Sequence, residues 1–88
     1  MTPVTDEHAF WQLTSAAADI FRYRREHSDV KDGPWGFDRG NGSDDGSSAY
    51  AEFSHVAVSG WGKDVLVISA RKQLDGSWKV SHKITRAA

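Results

Sequence analysis

The C-terminal third of the chain alternates apolar and polar residues with the two-residue period of a β-strand, which constrains the fold more than any other feature. Two such stretches, residues 65–72 and 78–85, flank an acidic-glycine turn. A two-residue turn would set apolar residues opposite polar ones. A three-residue loop with Gly76 in the left-handed region instead sets Ala70 opposite Val80 and keeps the apolar residues on one face. We therefore predict a β-hairpin closed by a three-residue loop.

The pattern of the N-terminal part of the chain predicts one amphipathic helix, from about residue 6 to about residue 27. Thr5 is a favourable N-cap, and acidic residues follow it in the first turn. Apolar residues recur on one helical face, namely Phe10, Leu13, Ala17, Ile20 and Phe21. We expect this face to pack on the apolar face of the hairpin, which carries Leu66, Ile68, Val80 and Ile84.

Residues 31–48 are rich in glycine, aspartate and serine. Long loops of this kind in a compact domain are generally functional or disordered, so we expect a mobile loop that Trp35 and Phe37 tether at its start. The sheet follows over residues 49–86, and its first strand switches faces through a bulge near Ser54. The predicted fold class is α+β: one N-terminal amphipathic helix packed on a three-stranded antiparallel β-meander, within a single domain of residues 1–88.

Composition narrows the class of protein. The chain is 39% hydrophobic and 26% charged, as a soluble globular domain is. A formal net charge of −1 argues against a nucleic-acid partner and against attraction to an anionic membrane. The chain has no cysteine, so disulfides and thiolate metal sites are excluded. Because we find neither a signal-peptide pattern nor an apolar run of membrane-spanning length, we expect a cytoplasmic protein.

Two patterns resemble a ligand site or a catalytic site, and neither is specific. Residues 41–46, with Glu52, match part of a calcium-binding loop, but Asn41 stands where aspartate is usual and a strand follows instead of a helix. His55 and His82, with Glu52 nearby, form the best catalytic constellation, without a nucleophile or an oxyanion motif. His82 shares the alternation of the apolar residues of its strand, which favours a hydrogen-bonded histidine in the core. We therefore predict no catalytic residue, no metal site and no cofactor.

Basic residues near aromatic ones raise the question of single-stranded nucleic acid. They include Arg22, Arg24 and Arg25 around Tyr23, and Lys79, Lys83 and Arg86, which we place on the polar face of the sheet. A solvated polar face is the simpler interpretation, and the balanced charge of the chain favours it.

Two tryptophans lie in turn-forming segments: Trp35 follows a proline, and Trp61 stands between two glycines. A loop tryptophan is buried only when the protein itself or a partner covers it, and buried aromatic anchors dominate the energetics of interfaces. The predicted partner-binding residues are Trp35, Phe37, Trp61 and Trp11, the last lying off the apolar face of the helix. The leading hypothesis is a small non-enzymatic protein-interaction module. It would be an adaptor or inhibitor, of the kind that phages and other mobile elements encode, docking on a larger protein.

Residues 74–82, with the sequence Leu-Asp-Gly-Ser-Trp-Lys-Val-Ser-His, resemble the last hairpin of the NTF2-like, cystatin-like α+β roll. The order of helix first and sheet after agrees with this resemblance. The resemblance implies a cone-shaped pocket and frequent dimerisation through the sheet. The alternative function is therefore a reduced NTF2-like domain that binds a small apolar ligand.

A homodimer is also expected from the size of the chain. A three-stranded sheet with one helix leaves a sheet face or an edge uncovered, and a chain this short gains stability from further burial. The candidates for the uncovered apolar positions are Val65, Val67 and Val58 or Phe53.

Overall fold

A computed structural model of the chain describes residues 2–27, 35–56 and 60–87. Its elements are α1 Glu7–Leu13, α2 Ala17–Glu26, β1 Gly36–Gly42, β2 Ser48–Val56, β3 Lys63–Lys72 and β4 Trp78–Thr85. The strands form one antiparallel sheet in the order β1-β2-β3-β4, and both helices pack on the same face of it. The α+β class is confirmed. The predicted numbers of one helix and three strands are wrong, since residues 2–27, 35–56 and 60–87 already form two helices and four strands.

The predicted helix is divided in two at Thr14. This residue has an extended backbone, with φ −147° and ψ 141°, and its hydroxyl accepts a hydrogen bond of 3.1 Å from the N–H of Ala16. Threonine and serine side chains bind nearby backbone groups in non-helical conformations, which explains the break. The cap of α1 is Asp6 and not Thr5, because the Asp6 carboxylate accepts the N–H of His8. The break lets α1 pack on β1 while α2 packs on the other three strands.

Strand β1 occupies the middle of the glycine-rich segment that the sequence predicts as a mobile loop over residues 31–48. It pairs with β2 in antiparallel register, with one irregularity between Phe37 and Arg39. A tight turn at residues 43–47 then leads into β2. Residues 31–34 of the predicted loop lie outside the described residues.

Glycine is required where β1 passes beneath α1. A Cβ at Gly40 would lie 2.6 Å from Cδ1 of Phe10 and 2.9 Å from the carbonyl oxygen of Tyr50. The backbone of Gly40 also exchanges two hydrogen bonds of 2.9 Å with Val4, which aligns the segment before α1 with β1. The glycine that suggested a loop therefore allows a close contact between a helix and a strand.

The β3–β4 hairpin has the register predicted from its alternation. Ala70 lies opposite Val80, and Leu66 lies opposite Ile84. Gly76, with φ 88°, is in the left-handed region. The N–H of Gln73 donates a hydrogen bond of 2.8 Å to the carbonyl oxygen of Ser77, which leaves Leu74, Asp75 and Gly76 between them. The three-residue loop is therefore confirmed.

Strand β2 runs without the bulge predicted near Ser54. Its pairing with β3 is regular from Ser48 to Val56. No switch of faces is needed, because Val56 lies on the face that the helices leave open and is 65% exposed. Val58, the other residue that suggested a switch, lies outside the described residues.

The two faces of the sheet differ in kind. The inner face, which the helices cover, carries Ala49, Ala51, Phe53, Leu66, Ile68 and Ala70. Four phenylalanine rings meet there with centroids 5.6 to 6.1 Å apart: Phe10, Phe21, Phe37 and Phe53. The predicted packing of the helical face on the hairpin is confirmed for α2, with Val80 and Ile84 at the partly buried margin of the core. It is wrong for Phe10 and Leu13, because these residues lie on α1, which packs on β1. Neither α1 nor α2 covers the opposite face, which we call the outer face.

Replacing Ile68 by alanine is expected to lower the free energy of unfolding by about 2–5 kcal/mol, because the change removes a fully buried side chain from the core. Val67→Ala is the matched control, since Val67 lies on the same strand but on the outer face, and it should cost much less. Urea denaturation followed by circular dichroism measures both. Equal midpoints for the two variants would contradict the assignment of the faces.

Candidate functional site

Two of the predicted docking tryptophans lie at one end of the sheet, which we call the loop end. Strand β2 ends there at Val56, opposite Lys63 of β3, and β4 ends beside them. Trp35 immediately precedes β1, and Trp61 lies in the turn that precedes β3. The fold therefore brings together two residues that are distant in the sequence.

Trp61 is highly exposed, with 80% of its surface accessible to solvent. Gly60 and Gly62 flank it with φ values of 81° and 73°, a region that residues with a side chain rarely adopt. These two glycines allow the left-handed backbone conformation on either side of Trp61. The turn therefore presents the indole at the surface because of its backbone conformation.

Trp35 has a different environment and is only 6% exposed. Its ring centroid lies 4.1 Å from that of His55, and its carbonyl oxygen accepts a hydrogen bond of 2.8 Å from Nη1 of Arg24. The guanidinium of Arg86 lies 6.0 Å from its ring. Trp35 therefore closes the end of the core and does not project from it.

A buried carboxylate fixes the base of the loop end. Asp64 is 4% exposed, and its side chain accepts a hydrogen bond of 2.8 Å from the N–H of Ala87 and one of 3.0 Å from Nη1 of Arg86. The N–H of Ala87, followed by the Arg86 guanidinium, lowers the pKa of the Asp64 carboxyl below its ordinary value, although burial opposes this. Asp64 thus ties the segment that follows β4 to the start of β3.

Three buried polar atoms near this base have no hydrogen-bond partner among the described residues: Arg24 Nε, Trp35 Nε1 and His55 Nε2. Nδ1 of His55 lies 2.8 Å from the carbonyl oxygen of Val56, so Nδ1 must carry the proton. Nε2 lies 3.7 Å from Asp64 Oδ2, which is beyond hydrogen-bond distance.

The other two predicted docking aromatics lie against the core. Phe37 is partly buried, and its ring packs on those of Phe10 and Phe53. Trp11 is 45% exposed and stacks on Phe21 with centroids 5.1 Å apart. The predicted set therefore divides into one highly exposed residue, one half-exposed residue and two that serve the core.

The catalytic constellation considered from the sequence is not assembled. His82 lies on the inner face, where its Nδ1 is 2.7 Å from the hydroxyl of Tyr23, so it is a hydrogen-bonded histidine as predicted. Glu52 lies on the outer face, where it pairs with Arg39. His55 lies at the loop end opposite Asp64. The three groups therefore cannot act on one substrate.

The calcium-like pattern forms a turn that its own side chains stabilise. The Asp45 carboxylate accepts hydrogen bonds from the hydroxyls of Ser43 and Ser47, each 2.7 Å long. These bonds, that of Ser47 first, lower the pKa of Asp45 to about 2. Glu52, the last residue of the pattern, instead forms an ion pair of 3.0 Å with Arg39. In the described part of the chain, no three His, Cys, Asp or Glu side chains lie close enough together to hold a metal ion.

The outer face holds a groove of about 630 Å³ that the sequence did not predict. It is lined by Tyr50, Arg71 and Lys79, and by the small polar side chains of Asn41, Ser69 and Ser81. The groove was missed because β1, which supplies Asn41, was predicted to be a loop. The strand alternation did hold a signal, since it places Arg71 and Lys79 on one face.

One basic residue predicted on this face lies elsewhere. Lys79 and Lys83 are exposed on the outer face as expected, but Arg86 has the opposite parity and binds Asp64 at the loop end. The outer face thus keeps two of the three cations assigned to it. It gains Arg71 from the neighbouring strand.

Comparison with known proteins gives no relative from which a function could be transferred: no family model, no curated protein and no solved structure matches the chain. Among the described residues, neither helix is long and apolar enough to cross a membrane. Any functional interpretation therefore depends on the two surfaces described above, the loop end and the outer face.

The stability of the protein is expected to fall as the pH decreases from about 4 towards 2. Hydrogen bonds lower the pKa values of Asp45, Asp64 and Asp75 in the folded state. The unfolded chain, with carboxyl pKa values near 3.8, then binds more protons than the folded one in this window. The stabilisation is fully present above the unfolded value and is lost below it.

Urea midpoints measured across this pH range check the expectation, and two variants localise it. Asp64→Asn should flatten the dependence, because it removes a carboxyl whose pKa is lowered on folding. Asp44→Asn, at an exposed carboxyl in the β1–β2 turn, is the control. An unchanged pH profile in the Asp64 variant would show that this carboxyl does not stabilise the loop end.

Proposed function

We propose that the protein is a small non-enzymatic interaction module that docks on a larger protein through its loop end. The observation that carries this proposal is the exposure of Trp61, at 80%. Burying an indole stabilises a complex through its large apolar area, and tryptophan is enriched among the residues that dominate binding energy. A protein partner with a pocket for this side chain would bury the indole, and the free energy of that burial would stabilise the complex.

The surroundings of Trp61 support a protein partner. Val56, which is 65% exposed, ends β2 opposite the exposed Lys63. In the sequence, Val56 precedes Trp61 and Lys63 follows it. An apolar centre with a charged rim is the usual composition of a protein interface. The loop end therefore offers an anchor, an apolar neighbour and a polar margin.

The base of the loop end supports docking with little rearrangement. Arg86 and the N–H of Ala87 hold Asp64, the second residue of β3, and so fix the strand on which the Trp61 turn is built. A partner that binds a preorganised surface avoids part of the entropy cost of association. We take the module to be an adaptor or an inhibitor, acting in the cytoplasm as predicted from the sequence.

No observation favours the alternative of a reduced NTF2-like domain with a pocket for an apolar ligand. Such a pocket would lie between the helices and the inner face of the sheet. Rings of Phe10, Phe21, Phe37 and Phe53 fill this region, with neighbouring centroids at most 6.1 Å apart. We therefore develop only the docking proposal.

The test of docking compares two exposed apolar loop residues. Trp61→Ala should leave the free energy of unfolding within about 0.5 kcal/mol of the parent value, because the side chain lies outside the core, and should abolish capture of the partner. Leu74→Ala is the matched control: Leu74 lies fully exposed in the β3–β4 loop, beside the positive-φ Gly76. Affinity purification from the native host with mass spectrometry, followed by binding of the purified partner, measures both.

Trp35→Ala separates a docking role from a structural one. Removing this buried indole should cost about 3–5 kcal/mol and lower the melting temperature markedly. If Trp61→Ala also lowers the melting temperature, or if the partner binds both exposed-loop variants equally well, docking through Trp61 is wrong.

The homodimer predicted from the sequence would use the outer face. Val65 and Val67 are half-buried there, whereas Phe53, also predicted to be uncovered, is 1% exposed on the inner face. A twofold axis through this face would bring Lys79 and Lys83 close to their copies. Such a dimer should therefore strengthen as salt screens the repulsion, which sedimentation at low and high ionic strength would detect. A monomer at high micromolar concentration in both salts would exclude the dimer.

A further inference from the structure

The fold separates charges that the composition averages out. The outer face carries the cations Arg39, Lys63, Arg71, Lys79 and Lys83. Of the carboxylates on its strands, the pairing places Glu52 on that face, and Asp38 lies at the irregularity of β1 between Phe37 and Arg39. Glu52 pairs with Arg39. Among the described residues, no carboxylate forms an ion pair with the remaining four cations. A chain with a net charge of −1 therefore has one sheet face on which cations outnumber carboxylates.

Two of these cations face each other across neighbouring strands. Arg71 of β3 lies directly opposite Lys79 of β4, and the residue opposite Arg71 on its other side is Ser48. Like charges at directly opposed positions destabilise a sheet. A bound anionic group between the two side chains would remove that repulsion and add charge-assisted hydrogen bonds.

The groove next to this pair has the composition of a site for a planar, polar group. Tyr50 stands in it, half-buried, between Asn41 of β1 and Ser69 of β3. Ser81 continues the same row on β4. Serine side chains are small, so they leave space beside the tyrosine ring, and the row offers serine hydroxyl groups for hydrogen bonds. An aromatic platform with cations around it is the arrangement on which unpaired bases stack.

We propose that the outer face binds single-stranded nucleic acid, with a base against Tyr50 and phosphates on Arg71, Lys79 and Lys83. Lys79 and Lys83 lie four residues apart on one strand, or about 13 Å. A ligand that contacts both and Arg71 must carry anionic groups at intervals, as a strand does and a mononucleotide does not. A duplex would present phosphates but no free base face for Tyr50.

This surface is distinct from the loop end. The Arg71–Lys79 pair lies next to the β3–β4 turn, whereas Trp61 lies at the opposite end of the same hairpin. The outcome of a nucleic-acid experiment therefore leaves docking through Trp61 unaffected.

Fluorescence anisotropy with labelled single strands of about 12 nucleotides tests the proposal. We expect a Kd on the order of 10⁻⁵ M at about 50 mM salt, and weaker binding at about 200 mM salt. Three phosphate contacts predict a slope of about −2 for the logarithm of the association constant against that of the salt concentration. The single strand should bind more tightly than the duplex of the same sequence.

Two double variants with equal loss of charge locate the site. Arg71→Ala with Lys79→Ala should weaken binding at least tenfold. Lys72→Ala with Arg25→Ala removes the same charge from exposed positions off the outer face, since Lys72 has the inner-face parity and Arg25 lies on α2. This control should change binding less than threefold.

Changes at Tyr50 test stacking separately from charge. Tyr50→Ala should weaken binding about tenfold without changing the salt slope, whereas Tyr50→Phe should keep the affinity. Circular dichroism melts confirm that each variant is folded.

Four outcomes of these measurements would overturn the proposal, and a competition experiment supplies a fifth. These are no binding of the single strand at about 10⁻⁴ M protein in low salt, equal losses in the two double variants, a duplex that binds as tightly as the single strand, and an unchanged affinity in Tyr50→Ala. A polyglutamate peptide that competes as well as the oligonucleotide at equal charge would also overturn it, because it would assign the face to an acidic protein.

Discussion

The contact between Phe10 of α1 and Gly40 of β1 is the interaction on which the rest of the structure depends. The absence of a side chain at Gly40 lets the ring approach the strand to a distance that a Cβ would prevent. With α1 held there, the Phe10 ring meets Phe21 of α2 and Phe37 of β1, so one close contact joins both helices to the sheet. The same glycine bonds to Val4, which partly covers the outer edge of β1. Edge strands otherwise present unpaired backbone groups to other chains.

The features that depend on neighbouring residues could be predicted from the sequence, and those that depend on distant contacts could not. The alternation of residues 65–85 and the glycine at the turn are local, and they gave the register of the β3–β4 hairpin. Strand β1 is composed of residues typical of loops, and it forms because β2 pairs with it and Phe10 covers Gly40. The break at Thr14 could not be predicted from the apolar pattern, because the helical spacing of the apolar residues is the same before and after it. Thr14 itself is the one local indication of the break.

The candidate site shows the same division. Trp35 and Trp61 have similar local sequences, with glycine next to each, yet one is 6% exposed and the other 80%. Trp35 is covered because it leads into β1, where His55 and Arg24 can reach it. Without knowledge of β1, neither its burial nor the wall of the outer groove could be inferred. Strand parity was the available signal for Arg86, since the alternation of β4, continued one residue beyond Thr85, directs Arg86 to the inner side, where it binds Asp64.

When helices cover only one face of a sheet, successive residues of each strand alternate between two chemical environments, the covered face and the solvent-exposed face. On β3, Leu66, Ile68 and Ala70 are buried against the helices, and Val67, Ser69 and Arg71 between and after them face solvent. The inner positions are constrained by packing, whereas the outer positions are free to carry charge as long as the strands still pair. Net charge is a sum over both environments and over the helices, so a value near zero does not describe any one surface. For a protein of this architecture, the charge of each face is the quantity that bears on its partners, and it can be read from the sequence only once the strands and their parity are known.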